Sequence, residues 1–295
     1  MIKTPVFIFH LGNPEYLEQV ICQAQKNNEV HLLGDLSNKD ICPIWDEAEK
    51  YIPADYYEFE KVFEQMSDYS LDFDLNCFKR FFIMREYMKK NNLSQMVFLD
   101  SDVLLYINMS EYYDKYKCNT ALSIPERQSD FRWTAQAHCS FWTLEYLSDF
   151  IDFTMETYSG DKEKLREKYG HHVKNSIKGG VCDMTLLYLW SLTKDGIYNT
   201  CKITDDAVFD HCLGSAGNYY DNEYKYIKSL QSKKIVFKQD QPYLLTKSGK
   251  QIKANALHCQ GAAKALIPFI LNFKFRTFPT YMARYTEIAK RLLKK

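Results

Sequence analysis

The chain has 295 residues, a length at which folding buries roughly three quarters of the surface that an unfolded chain exposes. Its 38 Lys and Arg balance its 38 Asp and Glu, so no overall charge favours a nucleic-acid partner. No apolar run approaches the ~20 residues that a membrane-spanning helix requires, and 46% hydrophobic with 26% charged residues is typical of a globular protein.

The cysteines indicate a reducing environment. There are nine, an odd number, and none are spaced as Cys-x-x-Cys. The apolar stretch at residues 5–11 is too short for the core of a signal peptide, so we expect a cytoplasmic protein. The dipeptide His-Cys occurs at positions 138, 211 and 258, but adjacent side chains of an extended chain point to opposite faces. Zinc binding by such dipeptides is therefore disfavoured.

The first elements predict a strand, a helix and a second strand, which together form a βαβ unit. Residues 6–11 and 30–35 are apolar runs, and between them Pro14 precedes apolar residues at helical spacing. His10 and Asp35 lie near the two strand ends, where open α/β sheets bind ligands, and we expect both to contact a bound cofactor or donor. A turn or core role is the alternative for each.

A helix is predicted from Cys77 to Lys90, because Phe78 and Phe81 recur on one face. Arg80 lies beside that face. An arginine there would contact a bound diphosphate, since its planar fork matches phosphate geometry. The alternative is a cationic flank exposed to solvent.

An apolar run at residues 96–99 ends at Asp100 and Asp102. Such a run is typical of a central strand buried on both faces, and its carboxyl end lies at the ligand-binding edge of the sheet. In an extended stretch the two carboxylates point the same way and suit Mg²⁺ or Mn²⁺ together with a substrate phosphate. The alternative is an ordinary Asp-Ser-Asp turn.

The middle of the chain predicts a strand at residues 120–124 and an antiparallel partner within 135–144. Residues 159–178 are charged and read as an exposed, mobile insertion. The glycine pair that follows permits positive φ or a close backbone approach, so we expect Gly180 to contact a sugar. Asp183 stands where a helix N-cap belongs, and capping alone would explain it.

A late segment, residues 255–264, carries three further candidates. The imidazole of His258 can complete a metal site begun by two carboxylates. Gly261 lets the backbone approach a phosphate, and Lys264 supplies a positive charge for the same group. A structural role is the alternative for His258.

These motifs resemble those of the nucleotide-sugar glycosyltransferases of the GT-A fold, most closely the retaining family that includes glycogenin and the bacterial lipooligosaccharide galactosyltransferases. The resemblance implies an α/β, Rossmann-type, mostly parallel central sheet flanked by helices. A catalytic domain would span residues 1–265, and a small helical tail would span 266–295. It also implies transfer of a hexose from a nucleoside diphosphate sugar, a UDP-sugar being expected, to a glycan or lipid-linked acceptor in bacterial surface polysaccharide or lipooligosaccharide synthesis.

The same resemblance assigns roles to individual residues. Asp100 would contact the ribose and a Mn²⁺ or Mg²⁺ ion, Asp102 and His258 would complete the metal site, and Lys264 would bind the diphosphate. Asp183 is the candidate catalytic base of an inverting enzyme. In a retaining enzyme Asp183 would hold the donor sugar instead, and both alternatives stay open.

The tail at 266–295 interleaves aromatic residues with Lys and Arg. This pattern favours an anionic membrane surface and predicts a peripheral location on the inner face of the cytoplasmic membrane. A docked helix with a solvated cationic face is the alternative.

Two other function classes fit part of the sequence. Phosphatases of the haloacid dehalogenase type also carry Asp-x-Asp after a strand, and Asp205-Asp206 could match their later acidic pair. A noncatalytic carbohydrate-binding domain is the other alternative. Release of UDP from a UDP-sugar separates all three.

Overall fold

A seven-stranded sheet forms the centre of the computed structural model, which describes residues 4–272. In spatial order its strands are β3 (Ile44–Glu47), β2 (Val30–Gly34), β1 (Val6–Phe9), β4 (Gln95–Leu99), β7 (Gln136–Thr143), β6 (Thr120–Ser123) and β8 (Ile197–Asn199). Four neighbouring pairs are parallel, and only the two pairs that involve β7 are antiparallel. The predicted mostly parallel sheet is thus confirmed, as is an antiparallel strand within residues 135–144.

A second sheet brings the end of the chain back to its middle. Its members are β5 (Val103–Leu105), β9 (Ala207–Phe209), β12 (Ile235–Lys238), β13 (Gln241–Leu245) and β14 (Gln251–His258), and β10 (Tyr226–Ile227) pairs separately with β11 (Ser232–Lys233). Strand β14 runs antiparallel to β5, with His258 opposite Val103. Because β5 begins directly after the second aspartate, this register carries His258 to the Asp-x-Asp segment.

Helices flank the sheet as predicted. They are α1 (Leu17–Gln25), α2 (Ala54–Val62), α3 (Leu71–Lys90), α4 (Met109–Tyr116), α5 (Leu144–Ser159), α6 (Glu163–Lys174), α7 (Asp183–Ser191) and α8 (Ile267–Asn272). The prediction that α3 begins at Cys77 was wrong by almost two turns. Its N-cap is Ser70, whose hydroxyl oxygen accepts a hydrogen bond from the Phe73 amide at 3.3 Å.

Residues 159–178 are not the mobile insertion that their charge predicted, since most of them form α6. Leu165 is buried, and Lys168 and His172 are buried on the same side of the helix. The error arose because Lys and His count as solvated residues in a sequence pattern, whereas here both lie inside the fold.

Many aromatic side chains pack in the larger core. Phe59, Phe78 and Tyr158 are fully buried, and the rings of Phe59 and Tyr158 meet edge to face at 5.4 Å. Core packing therefore accounts for part of the 15% aromatic content of the chain.

The last helix packs on the domain: Ile267 and Ile270 are buried against α1 and the second sheet. Residues 273–295 lie outside the described residues, and with them most of the tail predicted to bind membranes. Among residues 4–272, no helix combines the length and apolar character needed to cross a bilayer. All nine cysteines are free thiols, and Cys22 on α1 is exposed whereas the other eight are buried or half-buried.

Candidate active site

Asp100 and Asp102 lie in a tight turn at the carboxyl end of β4. The Val103 amide donates to the Asp100 carbonyl oxygen at 3.1 Å, so the segment is not extended as its sequence predicted. The amide of Asp100 is held by the His138 carbonyl at 2.7 Å. The turn still directs both carboxylates into one cleft.

His258 reaches this turn from β14. Its Nε2 atom lies 3.5 Å from Oδ1 of Asp102, and its Nδ1 atom lies 2.7 Å from the carbonyl oxygen of His211. A carbonyl oxygen only accepts hydrogen bonds, so Nδ1 carries the proton and, in the neutral ring, the lone pair of Nε2 faces the carboxylates.

These three residues fit a divalent metal ion. One ligand atom from each of Asp100, Asp102 and His258 lies within 4.8 Å of the others, and no other group of this kind occurs within residues 4–272. Two carboxylates and an imidazole whose second nitrogen donates to a carbonyl form a common donor set for such an ion.

Burial and mutual charge perturb all three groups. Burial raises the pKa of Asp100 in spite of the Arg80 guanidinium. Burial also acts to raise the pKa of Asp102, but hydrogen bonds and charge from His258 and Lys264 outweigh it and lower that pKa. The pKa of His258 is raised, because the two carboxylates outweigh its burial. The concentrated negative charge is compatible with a bound cation.

Arg80 on α3 connects the metal candidates to the start of α7. Its Nη1 donates to Asp100 at 2.7 Å, and its Nη2 donates to Asp183. The guanidinium also lies over the rings of Phe81 and Phe98, at 5.0 and 4.9 Å. Asp183 is the first residue of α7 rather than its N-cap, which is Cys182. The Asp183 carboxylate is thus held by the Arg80 guanidinium and does not cap α7.

Lys264 lies on the other side of Asp102, with Nζ 3.3 Å from Oδ2. It is carried by the 3₁₀ turn Gly261–Leu266, whose first residue has φ +60°. The lysine side chain is 39% exposed, so its ammonium group can move toward a ligand in the cleft. The positive φ explains the glycine at 261.

One open cleft of about 480 Å³ contains eight of the ten residues predicted for the site: His10, Arg80, Asp100, Asp102, Asp183, His258, Gly261 and Lys264. Burial lowers the pKa of His10, and the nearby charge of Lys264 adds to this effect. The volume is within the range of about 300–1,000 Å³ for small-molecule sites.

The other two predicted residues line neighbouring clefts. Asp35 caps a 3₁₀ turn, and its carboxylate accepts the amide hydrogens of Gly12 at 2.6 Å and Ser37 at 2.9 Å. Gly180 pairs with Ser67, and a side chain at 180 would come within 2.9 Å of the Ser67 Cα. Chain packing is thus sufficient to require this glycine.

Several residues that support the site escaped prediction. His138 stacks on His258 with ring centroids 4.1 Å apart, and its Nε2 lies 3.0 Å from the Asp210 carbonyl. Asp210 accepts the His258 amide hydrogen at 3.2 Å and forms a fully buried ion pair with Lys233. The repeated His-Cys dipeptide was a signal for this cluster, because its three histidines converge behind the metal candidates.

Gln136 is a further cleft residue without a sequence signal. Its Oε1 atom is buried and has no hydrogen-bond partner within residues 4–272. A buried amide oxygen without a partner is uncommon in folded proteins, so a ligand hydroxyl is a suitable donor for it.

No family model matches the chain, and no curated protein matches it. Several of the solved structures that match the chain are glycosyltransferases. The apo form of mouse xyloside xylosyltransferase 1 matches with a TM-score of 0.47 and 8% identity over 67% of this chain and 84% of that one. An active-site mutant of LgtC matches with a TM-score of 0.47 and 14% identity, over 98% of this chain and 96% of that one. The bifunctional glycosyltransferase WbbM matches with a TM-score of 0.46 and 11% identity, over 98% of this chain and 51% of that one.

Proposed function

We propose that the protein is a metal-dependent glycosyltransferase that moves a hexose from a UDP-sugar to a glycan or lipid-linked acceptor. One observation carries the proposal: Asp100, Asp102 and His258 bring their ligand atoms within 4.8 Å of one another in a cleft that also contains Lys264. A divalent ion and a lysine side by side are suited to a diphosphate leaving group.

The ion would be Mn²⁺ or Mg²⁺, held by Asp100, Asp102 and His258. We expect Mn²⁺ to bind more tightly than Mg²⁺. Mn²⁺ is a transition metal that accepts the imidazole nitrogen of His258, whereas Mg²⁺ prefers oxygen ligands. When bound, the ion neutralises charge on the diphosphate as the sugar leaves.

Lys264 acts on the same charge from the protein side. Its ammonium group is bonded to Asp102 and lies 5.6 Å from the Tyr16 ring centroid. In our proposal it turns from the carboxylate toward the diphosphate, and negative charge developing on the leaving phosphate strengthens that contact.

Asp183 is proposed to position the donor sugar. Its carboxylate accepts a hydrogen bond from the Arg80 guanidinium, which fixes the carboxylate in the cleft. A remaining lone pair of Asp183 can accept a hydrogen bond from a sugar hydroxyl. The Oε1 atom of Gln136, which has no partner within residues 4–272, can accept another. Because Arg80 already engages one oxygen of Asp183, we propose that Asp183 binds the sugar and does not act as a general base.

The nucleoside part is proposed to lie toward His10 and Asp35, which follow the carboxyl ends of β1 and β2. Phe9 lines both the metal cleft and the cleft that contains Asp35, so the two are adjoining. Gly180 stays a proposed contact of the sugar loop. A catalytic domain at 1–265 and a tail at 266–295 on the inner face of the cytoplasmic membrane would fit synthesis of a bacterial surface polysaccharide or lipooligosaccharide.

The test is release of UDP from UDP-hexoses with Mn²⁺. We expect wild type to release UDP, and Asp102→Asn to lose both Mn²⁺ binding and this activity. Asp205→Asn is the matched control, because Asp205 is exposed and pairs with Lys115 at 2.5 Å outside the cleft. Hydrolysis of aryl phosphates would favour a phosphatase instead, and sugar binding without UDP release would favour a carbohydrate-binding domain.

A further inference from the structure

A second open cleft, of about 530 Å³, adjoins the metal cleft. Both are lined by Tyr69, Cys182 and Met184, and Asp183 stands between the last two of these. A molecule in the second cleft would therefore lie beside the position proposed for the donor sugar.

The charges that line this cleft are unbalanced. Four cations, Arg127, Arg132, Lys168 and Lys178, face two carboxylates, Asp130 and Asp221. The two arginines share Asp221, at 3.5 and 3.2 Å. Within residues 4–272, neither lysine has a carboxylate oxygen within 4.0 Å. The cleft thus carries a surplus of positive charge next to the active site.

Lys168 is the most unusual of these cations, because it is only 2% exposed. Its ammonium group donates to the carbonyl oxygens of Arg132 and Trp133 at 3.2 and 3.4 Å and to the Thr185 hydroxyl at 2.8 Å. All three acceptors are neutral. Burial lowers the pKa of Lys168 to about 8, which reflects the cost of a buried ammonium without a counter-ion.

His172 lies one helical turn after Lys168 on α6 and is 8% exposed. Its Nδ1 atom is buried and has no hydrogen-bond partner within the described chain. His172 lines the same cleft, and burial together with the charge of Lys168 lowers its pKa. In the neutral ring whose proton is on Nδ1, this nitrogen donates to an anion that reaches it. Trp133, which also lines the cleft, has φ +33°, so the backbone is strained here.

We infer that this second cleft binds a phosphate or carboxylate group of the acceptor and so selects acidic acceptors. The inference rests on the proposed function, since the cleft adjoins the proposed donor site. Arg132 and Lys178 would contact the anion directly, His172 would donate from Nδ1, and Lys168 would contribute its charge from behind.

Phosphate binding can be tested without the reaction. The full chain is titrated with inorganic phosphate in the presence of EDTA and at constant ionic strength, and binding is followed by tryptophan fluorescence, to which Trp133 contributes. We expect saturable binding in wild type. Arg132→Gln and Lys178→Gln should each weaken it about fivefold, which corresponds to about 1 kcal/mol for an exposed charge contact.

Two variants locate the anion. Lys174→Gln, an exposed lysine of α6 outside the cleft, should bind phosphate like wild type. Lys264→Met removes one of the two cations that line the donor cleft, the other being Arg80, and should also retain phosphate binding. Loss of binding in Lys264→Met with retention in Arg132→Gln and Lys178→Gln would overturn the inference, as would the absence of saturable binding in wild type.

Sugars identify the anion. Galactose 6-phosphate and galacturonate should both bind more tightly than galactose. Tighter binding of galactose 6-phosphate would indicate a phosphate site, and tighter binding of galacturonate would indicate a carboxylate site. Equal binding of galactose would overturn the inference. UDP release without any acceptor is measured in parallel, so failure of the proposed function is recognised independently of anion binding.

Discussion

The Nε2 atom of His258 lies 3.5 Å from Oδ1 of Asp102, although the two residues belong to strands far apart in the sequence. The antiparallel register of β14 with β5 fixes this contact, because it sets His258 opposite the residue that follows Asp102. Metal affinity should therefore depend on a residue near the end of the described chain as strongly as on the two aspartates.

His258→Ala should weaken Mn²⁺ binding by about 100-fold or more, since loss of a second-layer partner alone costs about 10–100-fold. Calorimetric titration measures the affinity. His171→Ala is the control, because His171 is an imidazole outside the cleft. Equal affinities in wild type and His258→Ala would remove His258 from the metal site.

Asp210→Asn should lower the free energy of unfolding by about 3–5 kcal/mol, because it leaves the buried Lys233 ammonium without a counter-ion and with only neutral acceptors on Cys212 and Asn218. Asp206→Asn breaks an exposed pair with Lys250 and should cost less than about 1 kcal/mol. Urea unfolding compares the two. If both variants lost less than about 1 kcal/mol of unfolding free energy, the buried ion pair would contribute little to stability.

Arg80→Lys should lower kcat/KM for UDP release by about tenfold or more. A lysine cannot place two donors in one plane, so it cannot hold Asp100 and Asp183 together as the guanidinium does. Arg166→Lys, at an exposed pair with Glu64, is the control and should match wild type. Steady-state kinetics of UDP release measure kcat/KM. A value for Arg80→Lys equal to that of wild type would show that the bridge between Asp100 and Asp183 is not needed.

Lys168 gives the stability a dependence on pH. An unfolded lysine keeps its proton up to a pKa near 10.5, whereas the folded Lys168 loses it from about 8. The unfolded state thus binds more protons between these values, so the contribution of Lys168 to stability rises with pH across the window and is constant below it.

Lys168→Met should remove this rise. The difference in unfolding free energy between wild type and variant is expected to grow by up to about 3 kcal/mol from pH 8 to 10.5. Urea unfolding at several pH values measures it. Lys174→Met should give a curve parallel to wild type, and a parallel curve for Lys168→Met would refute the shift.

Deletion of residues 273–295 tests the proposed membrane contact. The cut follows α8, so the buried Ile267 and Ile270 stay in place. We expect UDP release to persist and binding to anionic liposomes to be lost, because each basic residue near such a surface contributes about 1 kcal/mol. Sedimentation with liposomes measures binding, and undiminished binding would locate membrane affinity elsewhere.

The elements of the central sheet could be predicted where an apolar run ends abruptly in polar residues, as β4 does before Asp100. Strands β9 to β13 were missed, because they are short and alternate irregularly. Two of them, β9 and β13, pair with β14, and no local pattern encodes the pairing of β9 with a strand so far along the chain.

The metal candidates could be predicted from the sequence, whereas the residues of the second cleft could not. Asp100, Asp102 and His258 were named from chemistry, since few residue types bind a hard cation. Lys168 and His172 lie in the segment that was taken for an exposed insertion, and only the packing of α6 places them in the cleft that Cys182 and Met184 also line. A residue whose role depends on being buried cannot be recognised from its type, because the sequence pattern does not show which charged side chains the fold will bury.

The distribution of thiols has a practical consequence. Cys22 is the exposed one, whereas burial raises the pKa of half-buried thiols such as Cys118, to about 11, and so slows their alkylation. A maleimide dye should therefore attach first to the outer face of α1, the helix whose inner face packs against α8. The native chain thus provides a labelling position on the helix that packs against α8.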